Sequence, residues 1–402
     1  MRKVFFVVGL FVLIFASFGV YIATFDINIL SSDKEQKHPK FWDFRVITHV
    51  VTKETRGSLE PREILLAAAR SQVDVLFLTD LNLLNRSYNI QGYHGDIFTF
   101  TNQKISYLDS HVLVYTDDIE FKFPSLSLAQ TQLSYHFSRP NLDSPTKYLT
   151  VLAHPLKARH TWTGKFPKGL DGIEVVNLRK LWQDVWFNDR PNFIASLAIY
   201  PFNPNLALTR LLKNPTNELK LWDRLNQEAR SLGFLGSETT SKIYNLIGLN
   251  FSFPKYFESF EFASNHLLLE SELTGNEKRD RQKIFDGIRK GHFYLALDTF
   301  GNPDGFGAYV QHNEKSYLFG DSFVFAEGQK LYIDLPENIN VPFEVELYHN
   351  GVRIWTSKSA HSHFDIKEPG NYRIIVRIQP DLPIVEGVKW YSWIYTNNFY
   401  IN

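Results

Sequence analysis

His49 and Asp80 are residues whose types and positions could hold a metal ion. Phe44 to Ile47 reads as a short strand leading into Thr48-His49, and Val73 to Thr79 reads as a buried strand that delivers Asp80 at its C-terminal end. Between them, Gly57-Ser58-Leu59-Glu60-Pro61 is a turn into a helix, with Ser58 predicted as N-cap and Pro61 in the first turn. Ile64, Leu65, Ala68 and Ala69 give that helix an apolar face at the 3.6-residue period. Such a strand–helix–strand unit brings an imidazole and a carboxylate to the C-terminal ends of strands, where parallel barrels and sheets build their sites. Val51 and Leu81, beside the two candidates, have no donor atom to offer a metal.

The elements that must position these residues alternate from about Phe41 to Asp298. Strands are predicted over Ser110–Tyr115, Tyr148–Ala153 (ending in His154-Pro155), Gly172–Asn177, Phe234–Ser237 and Asn265–Glu270. Helices are predicted around Trp182 and Trp186, read as a packing face, over Leu219–Leu232 with Gly233 as its C-terminal stop, and over Glu277–Lys290 stopped by Gly291. Alternating strands and helices predict a closed or nearly closed α/β sheet over residues 41–298. Beyond about Asn302 the helices cease. Closely spaced strands with turns at Asn350-Gly351 and Pro369-Gly370-Asn371 predict a small all-β sandwich over 305–402, joined by a linker at 299–304.

Arg2-Lys3 precede an uncharged run from Val4 to Phe25. At ~1.5 Å per residue this run reaches about 33 Å, enough for a hydrocarbon layer of roughly 30 Å. Residues 1–25 are therefore expected to be an uncleaved membrane anchor, with a signal peptide as the alternative. Residues 26–40 then form a polar tether. Basic residues before the run and acidic ones after it put the N-terminus in the cytoplasm and the bulk of the chain outside. Equal numbers of basic and acidic residues, 43 of each, argue against a nucleic-acid partner. The absence of cysteine excludes disulfides and thiolate metal sites. No P-loop, GxSxG elbow or HExxH motif points to another chemistry.

The order of motifs resembles the PHP (polymerase and histidinol phosphatase) family of metal-dependent phosphoesterases. His49 matches the first histidine of the family's His-x-His-Thr, and Thr79-Asp80-Leu81-Asn82 its Thr-Asp-His-Asn. Leu152-Ala153-His154-Pro155 matches a strand-end His-Pro, and Gly172-Ile173-Glu174-Val175-Val176-Asn177 a Gly-Ile-Glu-Val-x-Asn strand. Leu221-Trp222-Asp223-Arg224-Leu225 is similar to a Trp-Asp-x-Leu helix, and Gly236-Ser237-Glu238-Thr239-Thr240 stands where the family closes with Gly-Ser/Thr-Asp-Ala-His. Gly370-Asn371-Tyr372-Arg373 and Trp393 to Tyr400 resemble the close of an extracytoplasmic subgroup with a C-terminal β domain. The resemblance covers about 41–402 and implies a distorted (β/α)7 barrel followed by a β-sandwich.

It also implies a metal set of His49, Asp80, His111, His154 and Glu238, with ligands lost at Val51, Leu81 and Thr240. The family's upstream glutamate has no clear counterpart in Ile97–Tyr107. Two readings follow. In one, the site is degenerate, holds little or no metal, and serves as a binding or scaffold module for a protein or phosphorylated ligand. In the other, a reduced site with a divalent ion (Zn, Mn or Fe) supports phosphatase or phosphodiesterase activity. His49 can equally be a hydrogen-bonded histidine at the barrel mouth, and Glu174 is expected to be structural.

Overall fold

The computed structural model describes residues 2–31, 38–85, 90–138, 148–246, 249–383 and 389–402. Seven strands close into a barrel: β1 (Trp42–Val50), β2 (Val75–Leu81), β4 (Ile97–Tyr107), β5 (Ser110–Tyr115), β6 (Leu149–Leu152), β7 (Gly172–Asn177) and β8 (Leu232–Thr239), with β8 pairing back onto β1. A short strand β3 (Gly92–His94) folds against the start of β4. All neighbours in the ring are parallel except at β5, which runs antiparallel to both β4 and β6. The β4–β5 connection is only Leu108-Asp109, with Leu108 at a φ of 50°, and so tight a link can join only antiparallel strands. This reversal matters for the site. It puts the first residues of β5, including His111, at the end of the barrel where the parallel strands finish.

Helices pack on the outside, so both faces of the strands are covered and the strand sequences read as continuous buried runs. They are α2 (Pro61–Arg70), α3 (Leu126–Ser138), α4 (Leu178–Asn188), α5 (Arg190–Ile199), α6 (Pro204–Arg210), α7 (Thr216–Glu228), α8 (Tyr256–Phe262) and α9 (Glu277–Lys290). A hairpin of β9 (Lys242–Leu246) and β10 (Leu249–Phe253) follows β8. Two helix boundaries differ from expectation. The N-cap of α2 is Glu60, not Ser58, because the residue before a proline is held extended, and the Glu60 N–H donates to Glu63 Oε2 at 2.8 Å. Helix α7 ends at Glu228 with Ala229 as its C-cap, and Gly233 lies inside β8, where a Cβ would come within 2.8 Å of the Trp222 ring. Its role is close helix–strand approach. Gly291 does end α9, at a φ of +77°.

Strand β1 belongs to two sheets. Its first half pairs antiparallel with β11 (Ser264–Leu269), from Trp42↔Leu269 to Val46↔Asn265, while Thr48 and Val50 pair with β8. Asn265 fills the fork: its side-chain oxygen accepts from Leu235 N, and its Nδ2 donates to Leu235 O, both at 2.9 Å. From β11 the sheet continues through β12 (Phe293–Ala296) to the C-terminal strands β21 (Tyr391–Thr396) and β20 (Gly370–Ile378). Onto β20 are added β17 (Phe343–His349) with β18 (Val352–Ser357), and β22 (Phe399–Ile401) with β15 (Ser322–Phe323). A separate four-stranded sheet comprises β13 (Gly307–His312), β14 (Lys315–Leu318), β16 (Lys330–Asp334) and β19 (His361–Asp365). Asn350 and Gly351 both take positive φ in the β17–β18 turn, as their sequence predicts. The C-terminal region docks at the start of β8 and the end of α7, where Arg373 makes a two-pronged pair with Asp223 (2.9 Å each) and Tyr400 bonds Ser231 O. The other end of the barrel is left open.

Helix α1 (Arg2–Ala23) is long and apolar enough to cross a membrane, a test that a signal sequence also passes. The segment after it is not a free tether throughout. Ile27 and Ile29 are buried, Ile29 N donates to Phe300 O and Asn340 N to Ile29 O (2.8 Å each), and Asn203 Nδ2 donates to Ile22 O and Phe25 O. The apolar residues hidden in this polar stretch explain its docking.

Candidate functional site

The open end of the barrel is where most of the candidate residues meet. The pairing of β1 shifts register between Ile47 and Val50 on one side and between Thr48 and Val50 on the other, and His49 takes a φ of 60°. His154 after β6 and Glu238 in β8 are also at positive φ, 36° and 44°. Side-chain-bearing residues adopt this backbone only when their surroundings hold them there, and such residues concentrate at functional sites.

Glu174 of β7 braces the group. Its Oε1 lies 2.5 Å from His49 Nδ1, and its Oε2 accepts from His154 N and Asn177 Nδ2 at 2.8 Å each. Gly236 makes room for it, since a Cβ there would overlap the carboxylate. The other nitrogen of His49, Nε2, faces Lys104 Nζ at 2.9 Å. Lys104, from β4, is buried, and its ammonium lies 3.7 Å from Glu238 Oε1. Glu238 is gripped by Lys157 Nζ at 2.8 and 2.7 Å, touched by Arg179 Nη1 at 3.4 Å, and faces His154 Nε2 at 3.9 Å. His111 Nδ1 lies 3.4 Å from His154 Nε2, and the His160 ring packs 4.6 Å from that of His111. Asp80 turns to the adjoining loop, accepting from Thr52 N (2.9 Å), Thr52 Oγ1 (2.7 Å) and Thr55 Oγ1 (2.5 Å).

Electrostatics sort these groups into two kinds. Burial pushes the histidines toward neutrality: His111 falls to about 3, with Lys104 and His160 adding to the effect, and His49 and His154 are also lowered. Burial alone would raise Glu238, but the neighbouring lysines, Lys104 first and then Lys157, outweigh it and hold the carboxyl well below its ordinary range. Burial draws Lys104 and Lys157 down while Glu238 pulls them up. The mouth therefore contains neutral imidazoles, a firmly ionised carboxylate and side-chain cations.

Above them opens a cavity of about 500 Å³ whose lining includes five cationic side chains, Arg56, Lys104, Lys157, Arg159 and Arg179, against one carboxylate, Glu238. Val51, Leu81 and Thr240, the positions expected to have lost ligands, also line it. The structure thus gathers His49, His111, His154 and Glu238 around Lys104 and turns Asp80 to one side. Lys104, Lys157 and Arg179 escaped the sequence reading. A lysine inside the strand Ile97–Tyr107 and another three residues after His154 were the available signals.

Among the described residues, one trio of histidine and carboxylate groups brings a ligand atom from each within 4.8 Å: Asp43, His266 and Asp304. By composition it could hold a metal ion. It lies where β1 begins and β11 passes, away from the mouth. His266 is bonded there to Asp43 through Nδ1 and to Asp298 through Nε2, both at 2.9 Å, and these carboxylates overcome burial to raise it to about 10. Arg45 adds a pair to Asp298 at 3.0 Å. His266 is thus an imidazolium between Asp43 and Asp298, and burial raises Asp304, the third member of the trio, to about 6.

No family model matches the chain, and no curated protein is significantly similar to it. The solved structures similar to it include the following two. One is a two-domain protein from Bacteroides vulgatus ATCC 8482 containing a predicted PHP-like metal-dependent phosphoesterase: 9% identical, TM-score 0.42, spanning 89% of this chain and 97% of that one. The other is a candidate metal-dependent phosphoesterase from Bifidobacterium adolescentis ATCC 15703: 13% identical, TM-score 0.27, spanning 54% of this chain and 94% of that one. Overlaps this loose assign neither family nor activity.

Proposed function

We propose that the chain is a PHP-like barrel in which lysine and arginine side chains have taken the place of a metal cluster, and that its mouth binds a phosphorylated or otherwise anionic ligand without hydrolysing it. One observation carries this reading: the Lys104 ammonium sits between His49 Nε2 and Glu238, the space a shared cation would need. Each candidate carboxylate is already committed, Glu238 to Lys157 and Asp80 to Thr52 and Thr55. A di- or trinuclear site needs several free histidine and carboxylate donors around one point, and these residues do not fit that requirement. They do fit an anion, for which arginine forks and lysine charges in a recessed cavity are the usual recognition groups.

The competing reading is a phosphoesterase with a reduced metal site. One observation favours it: His154 Nδ1 is buried with no hydrogen-bond partner among the described residues. Elemental analysis of the full-length chain, with calorimetric titration of inorganic phosphate, separates the two. The binding reading expects less than one metal per chain and phosphate binding that survives chelator. Two tightly held metals, with phosphate-ester turnover abolished by His154→Ala, would establish the enzyme instead.

We further propose, from the length and apolarity of α1, that it is a membrane anchor with the barrel outside the cytoplasm. The protein should then resist alkaline carbonate extraction and expose residues beyond 40 to external protease. Recovery of a shortened, soluble chain would identify a cleaved signal sequence.

A further inference from the structure

The cationic mouth does not end at the barrel. It shares Arg179, Gln183, Phe187, Glu238 and Thr240 with a second cavity of about 400 Å³, and the two are contiguous. The second cavity is apolar, walled by Trp182, Trp186, Phe193, Leu197, Phe253 and Pro254. Its volume falls in the range of ligand pockets, roughly 300–1,000 Å³. Trp186 and Phe187 of α4, which line it, stand 41% and 62% exposed, and Ile194, next in sequence to the lining Phe193 of α5, is 59% exposed. Exposed apolar side chains beside an apolar cavity suit an apolar ligand group. Arg190 lies 5.6 Å from the Trp186 ring, adding a cation to that rim. Helix α5, which supplies Phe193 and Leu197, runs on to the corner where Phe202 packs against Phe15 of α1, 5.2 Å between ring centroids.

A recessed cluster of positive charge opening directly into an apolar slot is complementary to a molecule with an anionic head and a hydrocarbon tail. We infer that the ligand of the mouth is an anionic lipid, with its phosphate held at Arg179 and Lys157 and an acyl chain laid along Trp182, Phe193 and Phe253. The inference rests on the anion-binding reading above and adds the tail. A free phosphate compound would use the same cations and leave the slot unused, so chain-length dependence separates the two sources.

The test uses the full-length protein in nanodiscs of zwitterionic lipid, titrated with inorganic phosphate, butyl phosphate and dodecyl phosphate, with heats from empty discs subtracted. Each buried methylene tightens binding by about fourfold, so burial of only half of the eight additional carbons gives dodecyl phosphate an advantage over butyl phosphate of roughly 250-fold. Leu197→Trp, which fills the slot, should erase that advantage and leave inorganic phosphate binding unchanged. Arg179→Ala should weaken all three probes. Circular dichroism of each variant reports whether it is folded. Equal affinity for butyl and dodecyl phosphate overturns the lipid assignment while leaving the anion site standing. Failure of every phosphate probe overturns both. A chain-length advantage that persists in folded Leu197→Trp overturns the placement of the tail. Self-association that covers Trp186, Phe187 and Ile194, with no response to dodecyl phosphate, makes the apolar face a contact between copies of this chain and also overturns the lipid assignment.

Discussion

Replacing Lys104 by methionine should convert the barrel mouth from a site that repels metal into one that accepts it. The ammonium is 2.9 Å from His49 Nε2 and 3.7 Å from Glu238 Oε1. A divalent ion held about 4 Å from it, at an effective dielectric of about 20, meets a repulsion of about 8 kcal/mol, or about six decades of affinity. The attraction between Lys104 and Glu238 at their separation is about 4.5 kcal/mol on the same scale. Desolvating a buried ammonium costs several kcal/mol in the other direction. These nearly cancel, and Lys157 and Arg179 remain on Glu238, so the variant should lose no more than about 2 kcal/mol of stability. Methionine is one heavy atom shorter than lysine, so it fills the place of the aliphatic stem and leaves that of the ammonium open. The assay is metal content after dialysis against Zn²⁺ or Mn²⁺, followed by titration with a competing chelator. Affinity should rise at least a thousandfold, with His49 and Glu238 as ligands and part of the gain still opposed by Lys157 and Arg179. A folded variant with no gain in metal affinity, or a native protein that already keeps stoichiometric metal through chelator, refutes the reasoning.

Glu238→Gln leaves the buried Lys104 and Lys157 without their countercharge and should cost about 3–5 kcal/mol in urea unfolding; a loss below about 1 kcal/mol would show that the lysines find other partners. His266 is raised to about 10 in the folded chain from an ordinary 6.5, so its contribution is fully present below pH 6.5 and is lost as pH rises through 10. Unfolding free energy should fall across that window in the native chain and fall less in His266→Gln, and parallel pH profiles would contradict the assignment. Asn265→Ala removes the bonds that close the β1 fork and should cost about 1–3 kcal/mol through the unsatisfied N–H of Leu235, whose carbonyl keeps its bond from Thr48 Oγ1, read by the denaturation midpoint. An unchanged midpoint would mean that water replaces the amide.

Strand ends were the most legible part of the site. His49, His154 and Glu238 stand where strands close, and that placement follows from alternation of apolar runs with turns. Lys104 was hidden for a physical reason. A lysine in a strand ordinarily points to water, and only closure of the barrel, which leaves the strand without a solvent face, turns it onto His49 and Glu238. The reversed β5 was hidden too, because the direction of a strand resides in the length of the link before it and not in the strand's own residues. Gly233 read as a helix stop because a glycine after an amphipathic helix usually is one. The Trp222 ring pressed against it belongs to tertiary packing, which local pattern does not contain. Strands β3, β4, β9, β10, β12, β13, β14 and β21 were not predicted, β4 with its Lys104 among them, because pairing partners far along the chain decide such conformations.

The ladder from β12 to β21 has a consequence for anyone who tries to take the molecule apart. Were the chain cut at Asn302, which is exposed between the buried Gly301 and Pro303, the pieces would not part. Tyr294, Leu295 and Ala296 would still be zipped to Thr396, Tyr395 and Ile394, with Arg373 clasping Asp223. Such a nicked protein should travel as one species in a native gel and come apart only in denaturant. Conversely, a gene cut at the same point yields a barrel with a raw strand edge, an invitation to stack on other copies of itself. A break in the covalent chain between the barrel and the C-terminal strands is thus not a division of the folded object.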